Sequence, residues 1–424
     1  FWGSVVIKSL LEVELLIGMG NLYRTKRWFE RYERRFRQNT GQINESTPII
    51  VFNNEVGGKK MGIDIKSLPK PVRAFFNGIG QVVFIENVIA GAMIYISFFI
   101  AGLEMNNWDF GNWYSWRPIV FTTIGVNLAN LVAYLMGADR DAITSGLFGF
   151  CPNLIAIGAC TFSGAADANG NWWTAWIVML VGCMLAPPIQ MMINRFTGHF
   201  GLPGFTFPFI VMMWFFTAIS FQTDLLAFGN DPALKTGLNT FLENGLTNGM
   251  NSGSWMTGFD WSTMGWSWGE MTSSHWGLFF INAFEEIYVI DGFIGSLVII
   301  AAYFWYNWQF ALKALIATAF AIGMGLIFGT SMGPMGLSLY GYASILTVGA
   351  LDTFCKSKIN SGRYWFLFFL GLVLTSLINF AAPTILGAFG MPSCTIAFVV
   401  GGWIMLVVEN AMIANAEARA AKKS

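Results

Sequence analysis

Residues Leu202 to Phe209 read LPGFTFPF and lie between two long apolar runs. Two prolines bracket a threonine there. Proline lacks an amide hydrogen and clashes with the preceding turn, so the backbone must leave regular helix at this point. Within lipid, such a break is tolerated only where the freed backbone groups face protein or a polar cavity. The octet is therefore a candidate solute site. Met391 to Phe398, MPSCTIAF, is a worn copy near the C-terminus that keeps the first proline, the threonine and the last phenylalanine. The chain reads as duplicated, and broken helices at matching places in two halves point to a transport pathway between them.

Composition agrees with a membrane setting. The 424 residues are 55% hydrophobic and 11% charged, with 18 Trp and 40 Phe, far from a soluble globular balance. Apolar windows of about 20 residues recur from Phe75 to Val408, each long enough to cross a hydrocarbon core as a helix. The net charge of zero conceals an asymmetry: bases crowd Arg24 to Arg73, whereas Leu225 to His275 contains Lys235 as its only base. By the positive-inside rule the first segment is cytoplasmic and the second external, and the tail with Arg419, Lys422 and Lys423 is again inside. An odd number of crossings in each half follows, which inverts one repeat relative to the other.

The expected fold is an all-α integral membrane protein made of two inverted five-helix repeats, each with a re-entrant pore half-helix. Residues 1–73 form an amphipathic helix and basic segment, 74–224 the first repeat, 225–275 an external Gly/Asn/Trp-rich loop, 276–410 the second repeat, and 411–424 a tail. The aromatics and bases of Asn21 to Gln38 read as a cationic face on anionic lipid headgroups rather than a nucleic-acid site. Phe75 to Leu103 starts with glycines and polar residues, which predicts a bent entry. Ser145 to Ala166 is too rich in Gly, Ser and Pro for an ordinary span and predicts a half-helix that turns back, with a second starting near Tyr340.

Cys151, Cys160, Cys183, Cys355 and Cys394 lack metal-ligand spacing and read as buried thiols. His199 and His275 are the only histidines. A haem, copper or zinc centre thus has few ligands, which weakens redox and hydrolytic readings. No cofactor, metal or catalytic residue is expected.

The second half repeats the landmarks of the first in order. Phe279 to Asp291 aligns with Phe75 to Glu86, pairing Asn77 with Asn282, Gln81 with Glu286 and Phe84 with Val289. Leu339 to Ile345 aligns with Leu147 to Asn153, and the threonine motifs close each half. Gln81 and Glu286 are polar groups in apolar runs, which face a cavity or another helix because lipid cannot hydrogen-bond them. Thr206 and Thr395 offer hydroxyl donors and acceptors without charge. Such a path suits a small, neutral, polar solute better than an ion.

The order G-I-G-Q-x-x-F (Gly78 to Phe84), GLFGF (Gly146 to Phe150) and LPGFTFPF resembles the urea transporter family over roughly Phe75 to Trp403. That resemblance implies a homotrimer whose protomers each hold a narrow channel, passing urea down its gradient without ion coupling. By the same resemblance Gln81 and Glu286 cap the two halves of a filter and accept from urea amides. Phe84 and Leu154 form a flat apolar slot, with Leu346 as the second-half counterpart of Leu154. Thr206 and Thr395 line the constriction, and Phe209 and Phe398 match the terminal aromatic of the signature.

The second half departs further from the pattern. Ala397 stands where the family has proline, and Glu285 replaces the glycine paired with Gly80, placing a charge beside the expected filter. The expected function is channel-type facilitated diffusion of urea or a closely similar small neutral amide across the plasma or inner membrane, with both termini cytoplasmic. The alternative is a diverged scaffold of the same architecture that serves as a structural subunit of a larger membrane complex.

Overall fold

The computed structural model describes residues 68–163, 167, 170–222, 280–329, 339–357, 361–387 and 389–422. The basic segment expected before residue 68 and the external loop expected over 225–275 lie outside the described residues. The first half runs α1 (Lys70–Gly80), a 3-10 turn (Gln81–Val83), α2 (Val88–Met105), α3 (Trp113–Leu135), α4 (Arg140–Thr144), α5 (Phe150–Thr161), α6 (Trp173–Gly198) and α7 (Phe207–Gln222). The second runs α8 (Ala283–Glu286), α9 (Phe293–Tyr306), α10 (Trp308–Ile327), α11 (Gly341–Phe354), α12 (Gly362–Gly387) and α13 (Ile396–Ala421). Six of these helices, α2, α3, α6, α10, α12 and α13, are long and apolar enough to cross a membrane.

Asparagine starts several of them. Asn87 accepts from the amides of Ile89 and Ala90, both at 3.0 Å, at the start of α2. Asn112 caps α3 at Tyr114 N, and Asn307 caps α10 at Gln309 N and Phe310 N. Each satisfies amides that have no intrahelical partner, which matters most where lipid supplies none. The bent entry is a true break: α1 ends, Phe84 takes a left-handed φ of 62°, and Asn87 restarts the chain as α2.

The two short helices sit where turning back was expected. At 12 and 14 residues, α5 and α11 are roughly 18 and 21 Å long at 1.5 Å per residue, well short of a ~30 Å core. The first begins five residues after Ser145, because Ser145 to Gly149 is used as a turn. Gly146 there has a φ of +89°, and a Cβ on it would lie 2.4 Å from the backbone of Asn77 and Gly78. The turn is thus pressed onto α1, an approach only glycine permits.

Contacts repeat from one half to the other. The first half pairs α2 with α3, α3 with α5 and α6, α5 with α6 and α7, and α6 with α7. The second pairs α9 with α10, α10 with α11 and α12, α11 with α12 and α13, and α12 with α13. Across the halves, like meets like: α2 packs on α9, and α7 on α13. Self-complementary contact of equivalent surfaces is what an approximate two-fold axis produces. Backbone detail agrees. Phe84 and Val289 both take left-handed φ, at 62° and 60°, as do Phe205 and Cys394 at 47° and 41°. A bulky residue in that region is strained, so finding it at paired positions means the fold demands the turn.

Candidate functional site

The two signature turns meet where the halves join. Thr206 Oγ1 and Thr395 Oγ1 are 2.6 Å apart and hydrogen-bonded, from residues 189 positions apart, and both are buried. Pro203 and Pro392 have the same spacing, as do Trp214 and Trp403. Their contacts are reciprocal: Trp214 Nε1 donates to Pro392 O at 2.9 Å, and Trp403 Nε1 donates to Pro203 O at 2.7 Å. Each half's last helix thus supplies the donor for the carbonyl that the other half's turn sets free. The neighbouring carbonyls are also met, since Phe207 N donates to Gly204 O, Ile396 N to Ser393 O, and the Tyr342 hydroxyl to Cys394 O. Proline breaks each helix here, and protein groups rather than lipid satisfy what the break exposes.

Around the threonines stand four rings. Phe205 and Phe398 have centroids 4.8 Å apart, and Phe84 lies edge-on to Phe205, Phe354 and Phe398 at 6.0, 5.8 and 6.0 Å. The Phe84 ring rests on Gly349 of α11, where a Cβ would come within 2.7 Å of it. Its counterpart Val289 crosses the other way, its carbonyl accepting from Thr161 Oγ1 of α5 at 2.6 Å. Each left-handed residue therefore reaches the opposite half's short helix.

A cavity of about 30 Å³ opens beside this junction, and Gln81, Phe84, Gln190, Asn194, Phe205 and Thr206 are on its wall. Its floor is the turn that precedes α5, and amide side chains hold that turn. Asn77 Nδ2 donates to Thr144 O at 3.0 Å, Gln81 Nε2 to Ser145 O at 3.0 Å, and Gln190 Nε2 to Leu147 O at 2.5 Å. Backbone carbonyls freed ahead of a half-helix are thereby satisfied by neutral donors.

A base–acid pair stands at the far end of each short helix. Arg117 pairs with Asp167 and donates to Cys160 O at 2.6 Å in the last turn of α5. Lys313 pairs with Asp352 in the last turn of α11 and donates to the Tyr364 hydroxyl at 3.3 Å. A cation suits the negative end of a helix dipole, and the aspartate neutralises it.

Of the residues singled out in the sequence, Gln81, Phe84 and Thr206 come together on the cavity wall, and Thr395 and Phe398 close the junction from the second half. Leu154, Leu346 and Phe209 are fully buried in the apolar core. Glu286 is half-buried at the end of α8 and is not on the wall of this cavity. Glu285, beside it, is fully buried. Its carboxylate lies against Gly292 and Gly295 at the start of α9, with Ser296 Oγ at 3.5 Å, near Glu104, which accepts from Ile294 N and Gly295 N. Consecutive helical residues point to different faces, so Glu285 has its own partner in Ser296. Sequence reading missed Gln190, Asn194, Phe205 and Phe354. The first two carried a signal: polar residues four apart in the apolar run of α6 share one face.

The urea transporter model matches residues 72–410, which takes in nearly all of the described helices. Urea transporter 1 of Ovis aries and of Rattus norvegicus are each 32% identical over 132 residues, 31% of this chain and 30% of the relative. Urea transporter 1 of Mus musculus is 31% identical over the same length. The aligned stretch thus spans about a third of the length of these relatives. A multi-pass helical body, a duplicated proline and threonine turn, and a family match over most of the chain lead to one conclusion: this chain belongs to the urea transporter family.

Proposed function

We propose that the chain passes urea, or a closely similar small neutral amide, across a membrane by channel-type facilitated diffusion. The observation that carries this reading is the Thr206 to Thr395 hydrogen bond together with the cluster of Phe84, Phe205, Phe354 and Phe398, of which Phe84 and Phe205 share the cavity wall with Thr206. Edge-to-face rings favour a flat molecule, and a pair of hydroxyls can exchange their mutual bond for bonds to a neutral amide at little cost. Ions are disfavoured on the first-half side, where Arg117 is tied to Asp167 and the cavity wall offers the uncharged Gln81, Gln190, Asn194 and Thr206 to replace a solute's water.

In this reading Gln81 receives the solute on the first-half side and Glu286 on the second, Phe84 and Leu154 form an apolar slot with Leu346 as its second-half counterpart, and Phe209 and Phe398 are the terminal aromatics of the two turns. No covalent step is involved. The repeats are inverted in the plasma or inner membrane, both termini are cytoplasmic, and three copies assemble.

Stopped-flow urea uptake into proteoliposomes holding this chain alone, against empty vesicles, tests the reading. Fast, saturable uptake indifferent to the ion gradient is expected, together with a mass of three protomers in detergent. Empty-vesicle rates from folded protein would overturn the channel reading and favour the scaffold role in a larger complex.

A further inference from the structure

Gln81 and Gln190 are held in the same way. Each uses its Nε2 to donate to a carbonyl of the turn before α5, Ser145 O and Leu147 O respectively. Only the amino end of an amide can meet a carbonyl, so this bond fixes which way each amide faces. The oxygen of each is then turned away from the turn. For Gln190 that oxygen, Oε1, is buried and has no hydrogen-bond partner among the described residues, although the side chain, 3% exposed, is on the cavity wall with Gln81 and Thr206. An unmet acceptor shielded from water is costly, and a donor that reaches it gains correspondingly. Asn194, one helical turn further along α6, is held by accepting from Gly204 N at 3.1 Å and keeps the same face polar.

Asn379, the second-half counterpart of Gln190, shows what the brace alone requires. Asn379 Nδ2 donates to Leu339 O at 2.6 Å, as Gln190 does to Leu147 O. The brace is thus made by either side chain. Gln190 Oε1 is orphaned, and Asn379 is not among the residues with an orphaned buried oxygen. Asn194 also has no polar counterpart, because Pro383 stands at the equivalent place in α12.

We infer that Gln190 is a specificity-determining residue: with Gln81 it forms a two-acceptor clamp that selects solutes carrying two amino groups, as ureas do, over amides carrying one. This rests on the urea-channel reading and names the groups that choose among its solutes. Acetamide has nearly the same shape as urea, with a methyl in place of one amino group, and would leave one of the two acceptors unmet. A binding site that offers a polar group rejects the analogue that cannot meet it.

Initial uptake of urea and of acetamide is measured in proteoliposomes holding wild type, Gln190→Met and Asn379→Leu. Wild type is expected to prefer urea. Gln190→Met, similar in volume but without the acceptor, should lower the urea to acetamide ratio roughly tenfold, the scale of one hydrogen bond to a buried group. Asn379→Leu removes only a brace and should leave the ratio within about twofold of wild type, the scale of a few tenths of a kcal/mol. If Gln190→Met does not fold, Gln190→Asn replaces it, with a smaller drop expected. An unchanged ratio, or both variants lowering urea and acetamide uptake together, overturns the clamp while wild-type uptake still supports the channel. Absence of wild-type urea uptake overturns both.

Discussion

The first half of the molecule uses three amides on the turn before the short helix, whereas the second half keeps only the Asn379 brace there and has turned the other two equivalent groups elsewhere. Asn77, Gln81 and Gln190 hold Thr144, Ser145 and Leu147 by their carbonyls. In the second half Asn282 donates to Asp291 instead, Glu286 stands in place of Gln81, and the glycine position before it holds Glu285 against Ser296 and α9. Yet both halves keep the left-handed turns, the tryptophan to proline bonds and a base at the end of the short helix. The contacts that close the backbone breaks are present twice, and the polar groups beside the turns differ. Backbone breaks in a membrane must be satisfied in both halves. The chemistry of the path is under no such demand to be symmetric.

Four pairs of substitutions would break or sharpen that contrast. Arg117→Met and Lys313→Met each strand a buried aspartate, and losses of about 3–5 kcal/mol are expected. Asp167 is more enclosed than Asp352, at 9% against 21% side-chain exposure, so the first-half variant should have the lower unfolding temperature in detergent. Equal losses would mean that burial does not set the difference. Next, Phe84→Gly and Val289→Gly relieve the same left-handed strain but remove very different packing. The first should cost about 2–3 kcal/mol through loss of the ring, and the second should stay within about 1 kcal/mol of wild type.

Trp214→Phe and Trp403→Phe come third. Each leaves a buried proline carbonyl without its donor, at about 1–3 kcal/mol, and the two should match within error if the reciprocity is structural. A cost confined to one of them would show that only one turn depends on the bond. The smallest effect is expected at the threonines. Thr206→Val removes half of a buried hydroxyl pair, about 0.6 kcal/mol by the usual worth of an interhelical hydrogen bond in membranes. Urea uptake should fall severalfold by the same arithmetic plus the lost contact to solute. A double-mutant cycle with Thr395→Val isolates the pair, and additive effects would mean the hydroxyls act separately.

Much of the fold was legible from local rules. Proline and glycine mark the breaks at 202–209 and 391–398, and aligned landmarks give the order of the second half. The half-helix boundary was misplaced by five residues because Ser145 to Gly149 is apolar enough to pass for helix, and only the approach of Gly146 to Asn77 shows it to be a turn. Within the site, Gln81, Phe84 and the two threonines were found through motifs. Gln190 was not: its four-residue spacing from Asn194 marks a polar face on α6, but that this face meets the cavity depends on how α6 packs against the rest of the fold. Phe354 comes from the opposite half, and no spacing along the chain announces that contact.

The tryptophan latch also sets an order of assembly. Pro203 O waits for Trp403, and Thr206 for Thr395, so the first half's turn reaches its final bonding only after almost the whole chain has been synthesised. Contacts separated by 189 and 200 positions are slow to form because a long loop must close before they stabilise anything. A nascent chain ending after α7 would hold an unsatisfied carbonyl and hydroxyl in the membrane, exposed to quality control. Truncation upstream of α13 should therefore yield rapid turnover of the product in cells, not a stable half-protein.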